Sequence, residues 1–186
     1  QVKAANIFNN GFSDTIGDSA AFFSASHPTI SDGNQSNLLA ASDLAESTLE
    51  TALTSIQKIK DDRGILIGAS AVSLHIPVDY WAVADRVLSS PGNTQTSAAQ
   101  ANPNTNAINA VRHMGMVPEG YFINRRLTDT DAWFVKTDVP NGTKMFVRSP
   151  LQTKMEPDFD TGNLRFKARE RYSFGVSDWR GWFGSA

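Results

Sequence analysis

The sequence predicts an α+β fold, and three observations carry that reading. Helix-like apolar spacing dominates up to Met114, whereas period-two spacing dominates from Tyr121 onward, so the two kinds of element fall in blocks. No segment repeats, which excludes a solenoid. The 186 residues, 40% apolar and 19% charged, suffice for one sizeable core or two small subdomains.

Gln1–Phe12 reads as the end of a helix: Val2, Ala5 and Phe8 recur at three-residue spacing before Asn9-Asn10-Gly11. Ser13–Asn37 is polar and Gly-rich and reads as an extended loop, with His27-Pro28 and Asp32-Gly33 as turns. Ser42–Lys60 is predicted helical. Ala45, Leu49, Ala52, Leu53, Ile56 and Ile59 form its apolar stripe, and Ser42 or Asp43 caps it, with Glu46 in capping-box spacing from Asp43. Short apolar strands follow at Ile65–Ala69 and Ser73–Ile76. Pro77 then opens a helix to about Leu88, with Trp81, Ala84, Val87 and Leu88 inward. Ser89–Asn106 is uncharged and lacks aromatic bulk, so it reads as a loop, with a short helix after it over Asn106–Met114. Strands are expected near Tyr121–Asn124, Ala132–Thr137 and Lys144–Arg148, with Val139-Pro140-Asn141-Gly142 as a hairpin turn.

The most informative stretch is Asn163–Ser185. From Leu164 to Phe174 the apolar residues Leu164, Phe166, Ala168, Tyr172 and Phe174 alternate with Arg165, Lys167, Arg169 and Arg171. Strand side chains alternate faces, so this predicts a long half-buried strand with one basic face, broken on its apolar side only by Glu170. Trp179-Arg180-Gly181-Trp182 closes the segment. Trp179, Trp182 and Phe183 make an apolar cluster too large to stay wet; it buries either against its own sheet or under a neighbouring molecule.

Charge is distributed unevenly. Residues 1–62 carry three basic and eight acidic side chains, and residues 144–186 carry eight basic and five acidic. Such poles favour head-to-tail contact between copies, although solvated surface charge is the plain alternative.

Several chemistries find no support. The absence of cysteine excludes disulfides and thiolate metal sites. No apolar run approaches the ~20 residues needed to span a bilayer. His27, His75 and His113 show no ligand spacing, and there is no Gly-x-Ser-x-Gly elbow, P-loop or dinucleotide fingerprint. The run Asp158–Gly162 fails as a calcium loop, because Gly162 and Arg169 stand where acids are required. No catalytic, metal-binding or cofactor-binding residue is therefore expected. The basic positions 165–171 are weighed as a nucleic-acid face, but the aromatics lie on the opposite face or beyond the strand, so no stacking platform is formed.

Taken in order, the segments Phe146–Ser185 (with Phe159, Phe166, Arg169, Glu170 and Arg171), Leu127–Gly142 and Leu74–Pro77 resemble the major capsid proteins of tailed bacteriophages. The fold of that family is named after phage HK97. The likeness spans nearly the whole chain. It implies the C-terminal part of a capsid protein, with a further N-terminal part beyond this sequence. By that likeness, residues 1–40 are a peripheral-domain helix end and connecting loop, 41–143 an axial domain, and 144–186 peripheral-domain strands and tail.

The resemblance further implies a structural protein, not an enzyme, with no cofactor. It assembles in the host cytoplasm into hexamers and pentamers of an icosahedral shell and resides in the virion. Its implied partners are other copies of itself, portal, scaffold and decoration proteins, and packaged DNA through weak contact, with no membrane. Candidate inter-subunit contacts are Arg165, Lys167, Arg169, Glu170, Arg171, Trp179, Arg180 and Trp182. Candidate axial-loop residues are Pro91, Gly92, Asn93, Asn102, Pro103 and Asn104, uncharged as suits identical loops converging on a symmetry axis. Some family members cross-link lysine to asparagine, but no such residue is assigned here.

Overall fold

The computed structural model describes residues 2–31, 33–92 and 108–186. The elements in chain order are α1 (Val2–Asn9), β1 (His27–Pro28), β2 (Asn34–Gln35), β3 (Leu38–Leu39), α2 (Glu46–Gln57), β4 (Ala71–Ile76), α3 (Trp81–Ser89), α4 (Ala110–His113), β5 (Tyr121–Ile123), β6 (Trp133–Thr137), β7 (Thr143–Pro157), β8 (Leu164–Val176) and β9 (Trp182–Ser185). The fold is α+β. Its centre is a five-stranded mixed sheet in the order β3-β9-β6-β4-β5, and β7 and β8 form a separate two-stranded antiparallel arm.

Alternation along β6 places a core on each face of this sheet. Trp133 and Val135 face the α2, α3 and α4 side, packing with Leu49, Ile56, Leu74, Ala84, Val87 and Phe183. Ala132 and Phe134 face the other way, into an aromatic cluster with Phe22, Phe23 and Trp182 that α1 covers through Ile7 and Phe8. A sheet buried on both sides has no polar face, and β9 reads accordingly as Trp-Phe-Gly-Ser. A Cβ added at Gly184 would lie 2.8 Å from Phe23 Cδ1 and 3.1 Å from Phe134 Cδ1. Gly184→Val is thus expected to destabilise the fold by about 2–3 kcal/mol through overpacking, read as a lowered urea midpoint at unchanged slope.

The predicted stripe of α2 is buried at Leu49, Ala52, Leu53 and Ile56. Its cap differs from expectation. Thr48 Oγ1 accepts from the Ala45 N–H at 2.9 Å, whereas Asp43 Oδ1 receives the Tyr80 hydroxyl at 3.2 Å. The expected strand Ile65–Ala69 is instead a turn held by Asp61, whose Oδ1 accepts from the N–H groups of Arg63 and Ile65, each at 2.8 Å. A carboxylate that offers local acceptors competes with strand pairing, and only the bridge Lys60↔Leu66 forms. Trp81 also departs from the reading, being exposed at the start of α3, while Ala84 and Val87 are buried.

Asn141 adopts the expected positive φ of 68°, but no hairpin results. Strand β6 pairs with β4 and β9, and the turn redirects the chain into the arm. The arm's first strand runs to Pro157 rather than Arg148, past two bulges between Val147 and Gln152 that accommodate Pro150. Leu38 and Leu39 pair with Gly184 and Ser185, and Trp182–Ser185 pair with β6, so β3 and the C-terminal β9 join β4, β5 and β6 in one sheet.

Candidate inter-subunit surface

The register of the arm sorts its side chains. Residues paired across an antiparallel ladder share a face. Leu164, Phe166 and Ala168 stand opposite Pro157, Met155 and Thr153, making one apolar face; Arg165, Lys167 and Arg169 stand opposite Glu156, Lys154 and Gln152, making one basic face. The alternation is as the sequence predicts, but the burial is not. Leu164 is 67% exposed and Phe166 59% exposed, so the expected half-buried strand has neither face covered along its outer half. The reason is reach. Helix α1 touches only the inner half, where Lys3 Nζ lies 5.2 Å from the Tyr172 ring centroid.

On the basic side, Arg165 Nη2 pairs with Asp158 Oδ2 at 2.6 Å, and Lys154 pairs with Glu156. Among the described residues, Lys167, Glu170, Arg169 and Arg171 make no ion pair. Gln152, Thr153, Lys154, Lys167 and Arg169 line an open depression of about 390 Å³ beside the second bulge.

Trp179, Arg180 and Trp182, candidate contacts with a neighbour, make contacts within their own chain. Trp179 is buried with its ring flat against His27, at 4.4 Å between centroids and 6° between planes. Trp182 is buried in the aromatic core, and its indole N–H donates to Thr143 Oγ1 at 3.2 Å. Arg180 donates from Nε to Lys60 O at 2.9 Å and from Nη2 to Asp62 Oδ1 at 2.6 Å, and its guanidinium lies 4.5 Å from the Trp179 ring. These three side chains hold the C-terminal segment onto its own chain, because β9 enters the middle of the sheet rather than hanging free as a tail.

Two features escaped the sequence reading. The first is a buried node. His27 Nδ1 lies 2.6 Å from Asp18 Oδ2, and His27 Nε2 lies 2.9 Å from Asn37 Oδ1. Asn37 Oδ1 only accepts, so Nε2 carries a hydrogen. Asn37 Nδ2 donates to Phe22 O, Trp179 O and Trp182 O at 2.8, 3.2 and 3.1 Å. The second is an acid-lined cleft of about 430 Å³, bordered by Asp61, Asp62, Asp138, Asp178 and Arg180. Asp61 is held below the usual carboxylate range, chiefly by the hydrogen bond from the Ile65 N–H. Asp138 Oδ1 accepts from Ser70 N at 2.8 Å and Asp178 Oδ1 from Arg180 N at 3.0 Å, so backbone amides fix Asp61, Asp138 and Asp178 in place, and Arg180 holds Asp62.

Of the remaining sites, Pro91 O accepts from Asn109 N at 3.4 Å and Gly92 bridges Ile108. Asn93, Asn102, Pro103 and Asn104 lie outside the described residues. His113 is exposed. His75 is half-buried on β4 between Phe122 and Trp182, with ring centroids 5.3 and 4.8 Å away. Burial, and then the nearby Lys136 charge, push its pKa down to about 4. Among the described residues no helix is long and apolar enough to cross a membrane.

No protein-family model matches the chain, and no curated protein does. A solved chain from Mycobacterium phage Che8 is similar in structure, with a TM-score of 0.42 and 18% identity over 80% of this chain and 53% of that one. The present chain thus spans about half the length of that neighbour.

Proposed function

We propose that the chain is a structural subunit: the C-terminal part of a tailed-phage major capsid protein of the HK97 fold. In this reading it assembles through hexamers and pentamers into an icosahedral shell around phage DNA, and has no catalytic role. The observation that carries it is the arm. A lone two-stranded ribbon is marginal in water, yet this one spans Thr143–Val176 and leaves Met155, Leu164 and Phe166 uncovered. In this reading repeated contact with further copies supplies the missing cover, and the ordered likeness of the segments to capsid proteins supports a capsid as that assembly. The portal, scaffold and decoration proteins implied by the likeness are further partners in this proposal, and the virion is the place of residence.

Negative-stain electron microscopy of the protein from its native source tests the reading. Closed shells of uniform diameter are expected, and Leu164→Ser/Phe166→Ser is expected to abolish them while leaving the circular dichroism spectrum unchanged. Small discrete particles at high concentration, from a chain carrying its N-terminal part, would overturn it. A second reading, a nucleic-acid-binding module, draws on Lys167, Arg169 and Arg171, which make no ion pair among the described residues; it requires DNA affinity that falls steeply with salt.

A further inference from the structure

The basic face of the arm and the acid-lined cleft are complementary features of one chain that do not meet within it. On the arm, Lys167, Arg169 and Arg171 have no anionic partner among the described residues. Alternate strand residues are ~6.6 Å apart, so these three cations span roughly 13 Å along one edge-exposed strand. In the cleft, Asp61, Asp62, Asp138 and Asp178 border Arg180, and the Arg63 charge also acts on Asp61. Backbone N–H groups hold three of these acids through one oxygen each, leaving the other oxygen of each carboxylate for a donor. Arginine and lysine donors presented in a row suit such an array, because charge-assisted bonds to carboxylates are the strong ones.

We propose that the basic face of the arm, Lys167 to Arg171, docks into the cleft of Asp61, Asp62, Asp138 and Asp178 of a second copy of this chain. The pairing rests on the assembly reading above and makes it directional. A contact between two different patches is heterologous and propagates head to tail around a ring, unlike a self-complementary dimer contact. A nucleic acid fits the same cations less well. The chain is net acidic, and the β8 aromatics Phe166, Tyr172 and Phe174 alternate onto the face opposite the cations, whereas Phe146 of β7, paired with Ser173, shares the cation face.

A charge-swap experiment decides the matter, using sedimentation velocity on the chain at low and moderate salt. Lys167→Glu/Arg169→Glu alone, and Asp62→Lys/Asp138→Lys alone, are each expected to weaken self-association about tenfold or more. An equimolar mixture of the two is expected to recover it, because each variant then supplies the charge the other lacks. Asp138→Asn alone keeps the acceptor oxygen for Ser70 and leaves the Asp62–Arg180 pair intact, so a loss seen there with an unchanged urea midpoint is not a folding defect. If the wild type associates but the mixture stays dissociated, or if neither single variant weakens association, the docking proposal is overturned and the assembly reading stands. If the wild type remains monomeric at every concentration, the assembly reading falls and the docking falls with it. If the arm variant loses affinity for a duplex DNA probe while the cleft variants associate normally, the cations serve nucleic acid and the proposal is likewise overturned.

Discussion

Asn37→Ala is expected to lower the unfolding free energy by about 3–5 kcal/mol, among the largest effects of any single polar substitution in this chain. The side chain is fully buried. Its amide nitrogen donates to Phe22 O, Trp179 O and Trp182 O, and its oxygen accepts from Ser24 N at 2.9 Å and from the His27 ring. Truncation removes this partner from three carbonyls, one amide and a ring N–H in a site closed to water; Trp179 O keeps the Trp182 N–H, and each group left orphaned costs about 1–3 kcal/mol, partly offset by relaxation. For a domain of this size the loss corresponds to a melting temperature lower by roughly 10 °C. Asn37→Asp is expected to be as damaging despite its matching shape, because a carboxylate would face carbonyl oxygens. Thermal and urea denaturation of both variants check this, and a loss below about 1 kcal/mol for Asn37→Ala would show that the node does not hold the fold.

The same residue shows where the sequence ceases to be legible. Asn37 stands in a polar, Gly-rich stretch that reads as loop, and nothing local announces that its amide clamps Trp179 and Trp182 from over 140 positions away. Elements with a self-contained signal were readable: the stripe of α2, and strand β6 within Ala132–Thr137. Elements defined by non-local pairing were not. Leu38–Leu39 is too short for a period, and becomes a strand only because Gly184 and Ser185 run parallel beside it. Strand β9 looked like an aromatic tail, since a strand buried on both faces lacks the polar half of the alternation. Pro150 and two bulges interrupt β7 at the point where a pattern reader stops.

For the candidate surface the division is sharper. Period-two alternation correctly separated Arg165, Lys167 and Arg169 from Leu164, Phe166 and Ala168. It cannot say what covers an apolar face, and an arm that leaves its own sheet exposes residues that the pattern alone assigns to a core. The cleft stayed hidden for another reason. Its acids come from three separate segments, and Asp61, Asp62 and Asp138 read singly as turn or helix-end residues, while Asp178 preceded the tryptophans without a pattern of its own.

Acid is expected to loosen this fold, and His75 supplies one traceable part of the effect. The ring lies between Phe122 and Trp182 with Ser73 Oγ 3.1 Å from Nε2, and its pKa is pushed down to about 4 from the ordinary 6.5 by burial and then by Lys136. The folded chain therefore keeps a neutral ring where the unfolded chain binds a proton. Above pH 6.5 neither state holds that proton and the contribution is flat. As pH falls from 6.5 towards 4, the unfolded state is favoured by about 1.4 kcal/mol per unit. The loss totals about 3 kcal/mol and levels off once the folded ring itself protonates. His75→Gln, which cannot titrate, is expected to remove that slope, so the wild-type advantage at pH 7 shrinks by about 3 kcal/mol at pH 4. Lys136→Gln is expected to remove only the smaller, coulombic share. Urea unfolding of the three proteins across this range separates His75 from the carboxylates, which titrate alike in all of them; parallel curves for wild type and His75→Gln would sink the assignment. If the chain assembles as proposed, the same proton uptake acts on every subunit at once, so shells are expected to open over a narrower pH interval than the isolated chain unfolds.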